Sequence, residues 1–329
     1  MLPFRKKNFY FPVAFIALGL FLCLFVWHDY TSPNSLTQET TVVLPRGAGF
    51  SKSIDLLAEN EVIKHPLFIK TIAYVSGNAK KIKAGEYLFA AEITPQEALQ
   101  MLVQGWTVKH KFTITEGLNV REVAELLRDE SLLSGNVPEN IEEGSLLPET
   151  YYFARGDSRT SLIERMQEQM QKTITDLWEQ REDGLPLTDL KQALVLASIV
   201  EKETGVPEER ARVAGVFINR LKIGMKLQSD PTTAYGIEQE TGKKLGRQLN
   251  GNDLRTPTRY NTYTIETLPP TPICNFGQAA LEAVLHPLKT NELYFVATGK
   301  GGHYFASTLA EHERNVRLYR QTIANEHGQ

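Results

Sequence analysis

The chain has 329 residues, a formal net charge of −3 and a hydrophobic fraction of 42%. That length can bury at least one sizeable core, and the near-neutral balance excludes the basic domain or stripe that nucleic-acid binders carry. The two cysteines, Cys23 and Cys274, supply neither a disulfide framework nor a zinc spacing, so no metal or other cofactor is expected.

Arg5, Lys6 and Lys7 precede an uncharged, mostly apolar run of nineteen residues from Phe9 to Trp27. At about 1.5 Å per helical residue this run spans roughly 28 Å, close to the ~30 Å hydrocarbon core of a bilayer. Tyr10 and Trp27 lie near its ends, where interfacial aromatics belong. The run is longer than a signal-peptide core, and no small-residue cleavage site follows it. Residues 1–8 therefore read as a cytoplasmic tail, 9–28 as a single-pass transmembrane anchor, and 29–40 as a polar linker. Basic residues on the N-terminal side alone place the rest of the chain outside the cytoplasmic membrane.

After the linker, Val42–Gly47 aligns with Phe112–Gly117, a faint repeat offset by 70 residues in which a short strand, a glycine turn and an amphipathic helix follow one another. Between the copies, Gly85–Phe89 reads as a strand. Thr94-Pro-Gln-Glu97 reads as a capping box with proline at the first helical position, opening a helix that ends near Gly105. The Asn136–Gly144 stretch is acidic and turn-rich.

The second half opens with an expected helix from Ser161 to Glu182, broken by Asp183-Gly184. Thr188 is placed to cap a second helix, Asp189–Thr204, whose centre Ala193–Val200 is apolar on every side and must be buried. A third helix is expected over Pro207–Ile223. From Gly224 the pattern turns to extended and turn segments, and a helix resumes at about Gly277–Leu285. The strand Leu293–Thr298, a Gly-rich turn and a strand from His303 read as a hairpin, followed by a helix over Thr308–Asn325. The fold class is thus α+β: a membrane helix, a small α+β module, then a mixed α/β domain.

Two glutamates, Glu201 and Glu203, stand in the last turn of the buried helix. Residues two apart point about 200° from each other, so the pair cannot share one site. Both continue apolar faces, and periodicity does not choose between them. Either carboxyl, held in an apolar pocket, would have its pKa raised and act as an acid near neutral pH. Asn219, Gln228, Asp230, Tyr260, Asn261 and Tyr263 are the polar and aromatic residues of a carbohydrate cleft, with His303 placed to line it; Asp230-Pro231 and Tyr260-Asn261 read equally well as turn formers. Neither a Gly-x-Ser-x-Gly nor a His-Glu-x-x-His pattern occurs, nor a phosphate-binding glycine loop.

Ala197–Thr204, Val213–Pro231, Tyr260–Thr264, Leu268–Ile273 and Tyr294–Phe305, in this order, resemble the signature of the endolytic murein transglycosylases, the YceG-like family. The resemblance implies a peptidoglycan lytic transglycosylase that cuts the MurNAc–GlcNAc bond within nascent glycan strands and leaves 1,6-anhydro ends. It further implies Glu203 as the catalytic residue, a LysM-like subdomain at about 41–110 before a catalytic domain at 111–329, and proximity to peptidoglycan synthases. The alternative is a non-catalytic, glycan-binding scaffold of the wall.

Overall fold

A computed structural model describes residues 10–34 and 36–327, with side chains from Val13 to Asn325. The expected cytoplasmic tail, with Arg5, Lys6 and Lys7, lies outside the described residues. The chain divides into two compact units: one runs to Lys111 and includes 152–157, and the other holds 112–151 and everything from Ser158 onward.

The first unit begins with α1 (Tyr10–Thr31), whose side chains from Val13 to Leu24 are almost uniformly exposed. Its stretch Val13–Thr31 has a mean hydropathy of 1.8, and among the described residues it is the one helix long and apolar enough to cross a membrane. The strands β1 (Thr40–Leu44) and β2 (Gly85–Phe89) pair antiparallel, with Val42 opposite Tyr87. Between them run α2 (Phe50–Glu59) and α3 (Pro66–Val75), and α4 (Pro95–Gln104) follows. Alternation along the strands sends Val42, Leu44, Tyr87 and Phe89 inward onto Ile54 and Leu57 of α2 and Leu102 of α4, forming one apolar cluster. The Thr94–Glu97 capping box forms as its spacing predicts, and Gly105 ends α4 in the left-handed region at φ +75°.

In the second unit, α5 (Val120–Asp129) begins with a further capping box, Asn119 with Glu122, which the sequence reading did not single out. The strands β3 (His110–Thr113) and β4 (Thr150–Phe153) form a two-stranded sheet. The expected long helix is α6 (Arg159–Trp178), and the buried one is α7 (Leu190–Glu203). Its cap is Asp189, one residue later than expected: the Asp189 carboxylate accepts from the Gln192 amide at 2.9 Å. Val195, Leu196, Ala197, Ile199 and Val200 are all essentially inaccessible, as an all-round apolar helix requires.

The third helix is a short 3-10 turn, Pro207–Glu209, running into α8 (Arg210–Lys222). One element departs from expectation. The stretch after Gly224, read as extended, contains the helix α9 (Asp230–Thr241), which has little amphipathic pattern because both Thr232–Thr233 and Tyr235–Gly236 are buried. Gly236 is needed there, since a Cβ would lie 2.2 Å from Thr258 Oγ1. The helix α10 (Gln278–Leu285) packs on α7 and α8. The hairpin forms from β5 (Tyr294–Ala297) and β6 (His303–Ala306), and α11 (Leu309–His327) packs on it.

Candidate active site

The two glutamates of α7 have separate surroundings. Glu201 accepts the Gly277 amide at 2.8 Å, and one of its carboxylate oxygens lies 3.6 Å from the Arg210 guanidinium, with the side chain only 4% exposed. It is an internal tie between α7, α8 and the start of α10. Glu203 points elsewhere, towards the loop ahead of α9, where Ser229 Oγ donates to its Oε1 at 2.5 Å. Burial pushes the Glu203 carboxyl up to about 7. The Asp230 charge adds to that rise, while the Ser229 hydrogen bond and the Arg220 guanidinium oppose it. The surroundings of Glu203 thus supply what a group that exchanges protons near neutral pH requires.

Sequence dictates how Ser229 reaches this position. Ser-Asp-Pro is a helix-start pattern, and Ser229 is indeed the residue before α9, with Pro231 in the first turn. Its hydroxyl makes no cap hydrogen bond and serves Glu203 instead. Its backbone is held by the Thr262 hydroxyl, which accepts the Ser229 amide at 2.8 Å, and by the Thr232 hydroxyl, which donates to the Ser229 carbonyl at 2.6 Å. Thr232 and Thr262 are hydrogen-bonded to each other at 2.8 Å, and all three residues are buried. Gln228, just before, adopts a left-handed backbone at φ +49°, unusual for a side-chain-bearing residue.

Arg220 is 6% exposed and donates from Nε to the Leu293 carbonyl and from Nη1 to the Leu227 carbonyl, both at 2.6 Å. It thereby joins the strand-bearing segment to the loop that carries Ser229. Tyr263 donates its hydroxyl to Asp230 Oδ1 at 2.6 Å, and burial together with that carboxylate pushes its phenol up. Glu203, Arg220, Ser229, Asp230 and Tyr263 therefore form one connected group.

The remaining candidates are placed differently. Asn261 is fully buried; its Nδ2 donates to the Leu254 and Thr256 carbonyls and its Oδ1 accepts from Thr233, which fixes the loop that presents Thr262 and Tyr263. Tyr260 stacks edge-on against Tyr235 and hydrogen-bonds to Thr271 at 2.9 Å. The Asn219 amide donates to the Thr290 and Glu292 carbonyls. His303 pairs with Glu209, Nδ1 to Oε2 at 2.7 Å. Gln228 is exposed beside Ser229.

Sequence reasoning passed over Ser229, Thr232 and Thr262 as individual residues, and Glu143 altogether. The Glu143 carboxyl is also pushed up to about 7 by burial, and it accepts from the Tyr235 hydroxyl at 3.0 Å and the Val120 amide at 2.9 Å. The helix-start pattern at Ser229 was the available signal for the first of these; nothing local marks Glu143.

The comparisons with known proteins agree with one another. The family model described as YceG-like matches residues 42–318. The endolytic murein transglycosylase of Bacillus subtilis (strain 168) is 31% identical over 322 residues, covering 87% of this chain and 87% of that protein. The protein of the same name from Streptococcus pneumoniae serotype 2 (strain D39) is 28% identical and covers 84% of this chain, which spans only 57% of that longer relative. A 2.6 Å crystal structure of a yceG-like protein from Listeria monocytogenes is 28% identical, with a TM-score of 0.51, and the likeness covers 84% of this chain and 99% of that one. Sequence signature, family match and structural likeness together establish that this chain belongs to the YceG-like family.

Proposed function

We propose that the chain is a membrane-anchored endolytic murein transglycosylase that cleaves the MurNAc–GlcNAc bond inside nascent peptidoglycan strands, with Glu203 as its acid and base. The observation that carries the reading is the environment of Glu203: one carboxyl, raised to about 7 and held by Ser229. Glycosidases that use water need a second carboxylate as base or nucleophile. A lytic transglycosylase needs only one. Ser229 donates to Oε1, which leaves Oε2 to carry the acidic proton of Glu203. That proton passes to the glycosidic oxygen as the bond to the MurNAc anomeric carbon breaks. The MurNAc C6 hydroxyl then bonds to that carbon and returns its proton to Glu203, leaving a 1,6-anhydro end and no net uptake of water. Asp230 and Tyr263, linked to each other beside Glu203, are the best-supported substrate-side groups, with Gln228 at the exposed edge. Asn219, Tyr260, Asn261 and His303 serve the cleft by fixing its walls.

The anchor is α1, with the N-terminus in the cytoplasm and the catalytic unit on the outer face; the length and apolarity of Val13–Thr31 support an anchor, and the Arg5–Lys7 cluster supports the orientation. Residues 41–110 act as a LysM-like glycan-holding subdomain, supported by helices packed on the antiparallel β1–β2 pair. Position at the outer membrane face also puts the chain near the peptidoglycan synthases that make its substrate.

Glu203→Gln keeps the shape of the side chain and removes its proton exchange. Purified peptidoglycan incubated with this variant is expected to yield no anhydro-ended fragments by mass spectrometry, while the parent protein yields them. Full turnover by the variant would refute the assignment, and products heavier by one water would make the parent a hydrolase.

A further inference from the structure

The first unit carries an apolar surface that its own core leaves largely exposed, although the Tyr74 ring meets Phe50 edge-on at 5.1 Å. On α3, Leu67, Tyr74 and Val75 are 74%, 65% and 85% exposed, while Ile69 and Ala73 face the core. Positions 67, 74 and 75 lie towards one side of the helix and so form one apolar stripe, with Thr71 between them. An exposed stripe of this kind marks an interaction surface.

What covers it follows from where α3 sits. Phe68 packs edge-on against Phe25 of α1 at 6.1 Å between ring centres, and His65 lies 3.6 Å from Asp29 at the end of α1. Leu22, Cys23, Val26, Trp27 and Tyr30 of α1 and Ile72 of α3 line a shared apolar cleft of about 300 Å³. α3 is therefore fastened beside the last turns of α1. If α1 crosses a bilayer, those turns are at the boundary between acyl chains and headgroups, which is where Trp27 belongs. A helix held against Phe25 and Cys23 stands at the same depth. The flanking chain has matching charge: residues 62–85 include Lys64, Lys70, Lys80, Lys81 and Lys83 and no aspartate or glutamate. Lys64, Lys80 and Lys81 are exposed. Basic groups beside an apolar helical face suit an anionic lipid surface.

We propose that α3 is a second membrane contact, with its Leu67–Tyr74–Val75 stripe resting in the outer boundary of the bilayer that α1 spans and with Lys64, Lys80 and Lys81 on anionic phospholipid headgroups. This rests on the reading of α1 as an anchor. The contact makes α3 part of the anchoring, so that the first unit lies on the membrane surface instead of hanging from a tether.

The test uses the full chain in vesicles of phosphatidylcholine and phosphatidylglycerol, with and without headgroup-level nitroxide lipid. Cys274 is buried, so a fluorophore that responds to polarity can be placed at native Cys23, or at Val75→Cys, Leu67→Cys or Leu88→Cys in a Cys23→Ser background. Leu88 is 44% exposed on β2 and serves as the reference. The expected result is a blue-shifted emission at positions 75 and 67 that nitroxide lipid largely abolishes, with the label at position 88 unaffected. Quenching at Cys23 with solvent-like emission at 75 and 67 overturns the proposal and leaves the anchor standing. No lipid quenching at Cys23 removes the anchor and the proposal with it. A blue shift at 75 that nitroxide lipid does not touch means a protein covers the stripe, and also overturns it.

Discussion

A single carboxyl acting in both directions must be protonated when substrate arrives. With the Glu203 carboxyl raised to about 7, the acid form predominates below that pH, and turnover is expected to fall as pH rises through it. Asp230 contributes to the rise through its charge, so Asp230→Asn is expected to lower the Glu203 pKa and move the alkaline limb of the kcat–pH profile to lower pH. Ser229→Ala removes a bond that favours the ionised form, so the limb should move the opposite way. Profiles of the three proteins check both signs; an unmoved limb in Asp230→Asn would mean that Glu203 does not titrate as the acid. At this scale the α7 pattern offered two glutamates as candidate acids, and family resemblance pointed to Glu203 as the one proposed here. Periodicity could not, because what separates Glu201 from Glu203 is non-local: the Gly277 amide and Arg210 on one, Ser229 on the other. The Ser229-Asp230-Pro231 segment was read as turn and extended although its pattern allows a helix start, and nothing local showed that the Ser229 hydroxyl would turn away from that helix.

Elements with strong local signals formed where the sequence put them. The capping box of α4, the all-apolar α7 and the β5–β6 hairpin each rest on residues near one another in the chain. α9 escaped notice because its contacts with the 253–262 loop, and not a hydrophobic stripe, make it a helix. The end of α5 is another feature with no local signature. Arg159, from the first turn of α6, donates to the carbonyls of Leu127, Arg128, Glu130, Leu133 and Gly135, at 2.5 to 3.3 Å. Helix C-termini leave their last carbonyls unpaired, and one planar guanidinium satisfies several here. Arg159→Ala is expected to lower the unfolding free energy by about 3 kcal/mol, and Arg159→Lys to recover only part of the loss, because an ammonium cannot reach the same fan of acceptors. Urea denaturation measures both; a change within experimental scatter for Arg159→Ala would count against this role.

Among the described residues each unit has its own apolar core, one around Tyr87 and Phe89 and the other around α7, α8 and α10. Unfolding is therefore expected in more than one step, with probes of secondary and tertiary structure giving non-coincident curves. Phe89→Ala should shift one transition and Phe217→Ala the other, each by about 3–5 kcal/mol; a single transition moved by either variant would show the cores to be coupled. The return of residues 152–157 to the first unit was not legible, since a linear pattern cannot express a unit built from two segments. The loop before α9 has a broader consequence. Gln228 holds an uncomfortable backbone conformation, and Ser229 leaves the helix behind it without the fastening that such a residue normally provides, worth about 1 kcal/mol. Breeding this protein for heat tolerance alone would favour replacements at these two positions, a glycine at the first above all. Each such gain in robustness would disturb the surroundings that tune Glu203 and slow the trimming of the wall.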